Sequence, residues 1–199
     1  MINSSFDQFH SIITLYLTDN YSSILSQLRI LYETFIVFSY LKLHPDLTKS
    51  FVAHGNITKY KTMELLNGVL EAEDEAAKNK LLDIYDIELL EDYGWLKDLI
   101  PNKNDRKLIT LVNDLGLRDY NSLYKITSNF IHTSSFSVFM NDNIDDNFIH
   151  SFLATASDLQ TDIIIMYLDI IKCPEKERLI IMDLIHRLRE ELLDEPERN

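Results

Sequence analysis

A chain of 199 residues that is 46% hydrophobic and 11% aromatic holds enough apolar material for one packed core, which excludes a disordered chain. Gly and Pro number four each, too few for the turns of an all-β protein of this length, so few and long helices are expected. A formal net charge of −13 repels phosphates at long range and disfavours extended nucleic-acid binding.

In chain order, Phe6, Phe9, Ile13 and Leu17 recur at three- and four-residue steps and predict a first amphipathic helix. Asn20 can cap a second helix whose buried side carries Ile24, Leu28, Leu31, Phe35 and Phe38 and which stops before Pro45. A third segment is helical to about Glu71, with Gly55 and Gly68 weakening it. Residues 72–93 read as a solvated helix with Leu81, Tyr85, Leu89 and Tyr93 as its stripe and Gly94 as its C-terminal cap. Trp95 and Pro101 begin an irregular connection, and a short helix, Leu108 to Leu115, closes at Gly116. A further helix runs from about Asp119 to Ser134. The polar residues Asn141 to Asp146 cap a long apolar helix, Asn147 to Lys172. Pro174 interrupts the chain, and a last helix carries Ile181, Leu184, Ile185, Leu188 and Leu192. Without repeats, low-complexity tracts or a long linker, the expectation is an all-α, single-domain helical bundle of about seven to eight helices over residues 1–199.

The charge is unevenly placed. Residues 71–100 hold three basic against ten acidic side chains, a net of −7, whereas 101–140 hold five against three, a net of +2. The second stretch leaves room for a local RNA site. Cys173 is the one cysteine, so no intramolecular disulfide can form, which fits a reducing cytosol. Met1 to Ser5 lack the basic-then-apolar pattern of a secretory signal. Ile163 to Ile171, taken as the most apolar stretch, is broken by Asp169 and falls short of the roughly 20 residues a bilayer needs. A cytoplasmic protein without a membrane segment is expected.

Three features together resemble the bacterial helical family catalogued as domain of unknown function 5677. They are Arg29-Ile30-Leu31-Tyr32-Glu33 in an apolar helix ending in Tyr40-Leu41, a lone Trp95 after an acidic helix, and Leu117 through Tyr120 followed by Leu123-Tyr124, Ser128 and Ile131-His132-Thr133-Ser134. The resemblance covers roughly residues 20–140. It implies an all-helical fold and a bacterial or phage setting, and no reaction. A weaker analogy is to the HEPN superfamily of helical ribonucleases and toxins, marked by an Arg and a His close together on one helix. Arg178 and His186 come nearest and are too far apart, which counts against it.

Arg29 and Glu33 are four apart on an otherwise apolar helix, and Tyr124, Ser128 and His132 are likewise four apart on another. Each charge in such surroundings needs a partner. If the two stripes face each other, His132 could act as general base and Arg29 could stabilise developing negative charge. Ser128 or Tyr124 would then orient a substrate, with metal-independent cleavage of RNA as the natural chemistry. The competing and favoured reading is a hydrogen-bonded network that fixes helix packing. The six histidines show no metal-ligand spacing, and the Asn141–Asp146 loop departs from a calcium loop at Asp146 and Phe152. No metal and no cofactor are expected.

Two functions follow. The leading one is a helical interaction module of a bacterial or phage conflict system acting through a protein partner, with a homodimer through the terminal helix as a further expectation. The alternative is a HEPN-like ribonuclease or toxin using Arg29, Glu33, Ser128 and His132. Whether the protein is an enzyme stays open at this level.

Overall fold

The computed structural model describes residues 1–118, 121–131 and 146–193. Every regular element among them is helical: α1 (Ile2–Leu17), α2 (Tyr21–Leu43), α3 (Thr48–Asn67), α4 (Ala72–Tyr85), α5 (Leu108–Asp114), α6 (Asn121–Ile131), α7 (Asp146–Ile170) and α8 (Glu175–Leu193). Single 3-10 turns stand at Pro45–Leu47, Ile87–Leu90, Gly94–Leu96 and Lys103–Asp105. The all-α class expected from scarce Gly and Pro is therefore what the chain adopts. Its contacts gather into two compact units, one of Met1–Lys42 with Leu115–Asn199, the other of Leu43–Asp114.

In the first unit α2 supplies the centre of the core. Ile24, Leu25, Leu28, Leu31, Tyr32, Ile36 and Tyr40 are almost wholly buried, while Phe38 is only half-buried, so the buried face turns toward Tyr32 and Ile36 rather than Phe38. Ser23–Leu43 is also long and apolar enough by composition to cross a bilayer, a longer apolar run than Ile163–Ile171. Half of that window is buried inside the protein, and burial in a helical core accounts for its apolarity. From α7 come Ile149, Leu153, Ala156, Leu159 and Ile163. Helix α1 packs on α7, and α7 on α8. The Tyr16 hydroxyl lies 3.2 Å from His150 Nε2, and the two rings meet edge to face at 5.9 Å.

The stripe predicted for α1 is not its buried face. Ser5, Ile12 and Tyr16 are buried, whereas Phe6 and Leu17 are exposed. Nor does α8 bury a residue, despite its apolar spacing. At the α7–α8 corner Asp169 accepts from Lys42 Nζ of α2 at 2.7 Å and from Arg178 Nη1 of α8 at 2.5 Å. Lys42 first, and then Arg178, hold its carboxyl below the ordinary carboxylate range.

In the second unit the helix boundaries differ from the sequence reading in two places. Helix α3 ends at Asn67 because Gly68 adopts a left-handed conformation, φ 77°, and its N–H bonds back to Glu64. That glycine is a C-terminal cap rather than a weak point. Helix α4 stops at Tyr85, not Tyr93. Asp86, at φ 76°, accepts from the Ile87 backbone N–H and from Lys97 Nζ, so a local side-chain cap outcompetes continued helix. Lys97, and then the Ile87 N–H, hold the Asp86 carboxyl low.

Gly94 is accordingly no helix cap. A Cβ there would lie 2.1 Å from the Glu88 carbonyl oxygen, so only glycine permits this close approach. Trp95 is buried and meets Phe51 edge to face at 5.1 Å. Its carbonyl accepts from Ser50 Oγ at 3.1 Å. The lone tryptophan is the peg that fixes the irregular 86–101 segment to α3.

Candidate functional site

Helices α2 and α6 bring the two predicted stripes together. Arg29 Nε donates to Glu33 Oε1 at 2.9 Å along α2. Its Nη1 donates to Ser128 Oγ at 3.2 Å and its Nη2 to Tyr124 Oη at 3.1 Å, both across to α6. The guanidinium carbon also lies 4.8 Å from the centre of the Tyr124 ring, within cation–π range. Tyr32 backs that ring, with centroids 6.3 Å apart.

The local reason is helix geometry: residues four apart share a face, so Arg29 with Glu33 and Tyr124 with Ser128 each present a pair in register. The Arg29 side chain is 20% exposed and that of Glu33 35%, so the cluster lies at the rim of the core rather than in its depths. Three of the five N–H groups that a guanidinium carries are used by these partners. No acceptor among the described residues takes the other two. Four of the five residues predicted from the sequence, Arg29, Glu33, Tyr124 and Ser128, thus form one network. His132, the predicted base, lies outside the described residues, as do Asn141 to Asp145.

A second arginine site escaped the sequence reading. Arg106 has a side chain only 3% exposed. Its Nε donates to the Ile100 carbonyl at 2.8 Å, Nη2 to the Pro101 carbonyl at 2.8 Å, and Nη1 to Glu88 Oε2 at 2.6 Å. It closes the irregular segment onto itself. Two of its three partners are backbone carbonyls, which no side-chain spacing announces.

The α3–α4 end carries the main exposed apolar group of the second unit. Leu65, Leu66 and Val69 are 85%, 77% and 67% exposed. Directly after them Glu73, Asp74 and Glu75 fill the first turn of α4, a helix that buries no residue. Among the described residues no group of three or more His, Cys, Asp or Glu side chains is placed to hold a metal ion.

Arg29 now has a structural role as a helix-pairing cation, Tyr124 and Ser128 as its hydrogen-bonding partners, and Trp95 as a buried peg. Neither a curated protein nor a solved structure matches the chain. Residues 1–148 match the profile of a family of unknown function, DUF5677, and the chain belongs to that family.

Proposed function

We propose that this chain is a cytoplasmic helical interaction module of a bacterial or phage conflict system, working through a protein partner rather than by catalysis. The observation that carries the reading is the α3–α4 end, where Leu65, Leu66 and Val69 stand out beside the acidic first turn of α4. Contiguous exposed apolar side chains rimmed by charge mark protein-binding surfaces. Acid at the rim selects a basic partner and speeds its approach. The setting rests on family membership and on the acidic composition, the docking chemistry on the exposed residues.

The test is quantitative co-purification from the native host with wild type and a Leu65→Glu, Leu66→Glu double variant of unchanged melting temperature. A basic protein held by wild type at low salt and lost with the variant supports the module. Recovery of the same proteins with both contradicts it.

A second reading is favoured by one observation, the convergence of a 20% exposed Arg29 on Ser128 and Tyr124 at the rim of the core. Such a cation could hold the phosphate of an RNA, with His132 as base and the 2′-hydroxyl as nucleophile. Inducible expression separates the two readings. Growth arrest with RNA loss, abolished in folded His132→Ala, would favour the ribonuclease. Harmless expression of wild type would set it aside.

A further inference from the structure

Helix α8 has two apolar sides. On one, Ile181, Ile185 and Leu192 are half-buried toward α7, where Arg178 reaches Asp169 and Arg189 reaches Asp158. On the other, Ile180, Leu184 and Leu188 are 60%, 55% and 55% exposed. Four residues advance a helix about 40° past one full turn, so these three form a slowly winding ridge. Leu184 and Leu188 also border a half-open apolar groove whose far side is Phe6, Phe9 and Ile13 of α1. Both helices belong to the first unit. Helix α8 lies wholly beyond residue 148, outside the part of the chain that the family profile describes.

The charges beside the ridge identify what fits it. Helix α8, Glu175–Leu193, holds five acidic against four basic side chains, a net of −1 in a chain of −13. A strongly basic or acidic partner therefore finds no excess of opposite charge here. A second copy turned end for end does find its complement. A twofold axis at Leu184 sets Leu184 on itself and Ile180 on Leu188 of the second copy. Lys176, Asp183 and Arg187 all stand on one flank of the ridge. The same axis brings Asp183 within two residues of Arg187 of the second copy, and Lys176 within one of its Glu191. Each of these opposite-charge pairings occurs twice by symmetry. Glu177 alone falls squarely opposite a like charge, Glu191. Asp183 and Arg187 pair at 2.6 Å within one copy and stay 58% and 70% exposed, so both are open to a second partner.

We propose that the chain forms a symmetric dimer through this ridge, the two α8 helices antiparallel and the twofold axis at Leu184. This gives the homodimer expected from the terminal helix a register and a set of pairing residues. A symmetric contact uses the same patch on both partners, and a ridge spaced evenly about one residue meets that requirement. The area agrees. At roughly 200 Å² for a fully exposed side chain of this size, Ile180, Leu184, Leu188 and the 48% exposed Phe6 offer on the order of 400 Å² of apolar surface. That is about half of the roughly 800 Å² that each partner of a standard interface buries, close to the usual apolar share. The charged flank supplies polar surface beside it.

The test is sedimentation equilibrium of the full chain, with circular dichroism confirming that each variant is folded. Wild type is expected to dimerise with a micromolar dissociation constant. Leu184→Glu, at an exposed position, is expected to weaken the dimer about a hundredfold or more with helix content retained. Asp183→Arg and Arg187→Asp each set like charges against each other and are expected to weaken self-association. Mixed in equal amounts, the two are expected to pair with each other. The register is read by cysteines in a Cys173→Ser background under mild oxidant. Leu184→Cys should cross-link to itself, whereas Ile180→Cys and Leu188→Cys should cross-link to each other and poorly to themselves. A wild type that stays monomeric, or a dimer indifferent to Leu184→Glu, would overturn the proposal. So would charge variants that fail to pair when mixed, or Ile180→Cys cross-linking to itself as readily as Leu184→Cys.

Discussion

Arg29 and Arg106 solve the same problem in opposite ways. Arg29 joins two helices whose sequences lie far apart, using side chains of α6, and stays 20% exposed. Arg106 joins one irregular segment to itself, using two backbone carbonyls and Glu88, and is 3% exposed. Each uses three N–H groups, so burial and the backbone partners, not the number of bonds, make Arg106 the more structural one. The rim cation, the one solvent reaches, is where a second use has room.

The comparison is broken most readily at Arg106. Arg106→Ala removes the donor to the Ile100 and Pro101 carbonyls and leaves Glu88 without its cation, and is expected to cost about 2–4 kcal/mol in denaturant unfolding. A cost near zero would mean that the segment holds without its clasp. Gly94→Ala, in the same segment, drives a Cβ onto the Glu88 carbonyl and should cost about 1–3 kcal/mol. Unfolding of this variant at the wild-type midpoint would show that the close approach relaxes freely.

Arg29→Met is expected to cost less, about 1–2 kcal/mol, because its partners are partly solvated and Glu33 can rehydrate. A cost above that of Arg106→Ala would invert the ranking of the two sites.

The smallest expected effect is at Asp169, between Lys42 and Arg178. Its carboxyl is depressed in the folded protein, so its contribution is full above the unfolded value of about 3.9 and is lost as pH falls through the lower folded value. Asp169→Asn should therefore lower the melting temperature slightly at neutral pH and make no difference in strong acid. An equal difference at both pH values would show that the effect is packing rather than charge.

The sequence was most informative where a boundary depends on one residue. Pro45, Gly116 and Pro174 mark ends that the helices respect, and the long apolar run after Asn147 is α7. It was least informative between Asp86 and Arg106. There the structure is set by side chains bonding to backbone groups, and hydrophobic period carries no record of that. Periodicity also identified apolar faces on α1 and α8 without telling a buried face from an exposed one, because both carry the same residues at the same spacing. At the candidate site, the spacing of Arg29 with Glu33 and of Tyr124 with Ser128 was legible. That α2 and α6 meet is a tertiary fact, visible only once the helices are packed.

The claim that the Arg29 network holds α2 to α6 is tested most directly by a double-mutant cycle on folding stability with Arg29→Met and Tyr124→Phe. The phenylalanine removes only the hydroxyl that accepts from Nη2. If the network is structural, Tyr124→Phe costs about 1 kcal/mol in wild type and almost nothing once Arg29 is gone, a coupling of about 0.5–1 kcal/mol. Equal costs in the two backgrounds would contradict it and return Arg29 and Tyr124 to the list of residues kept for a bound anion.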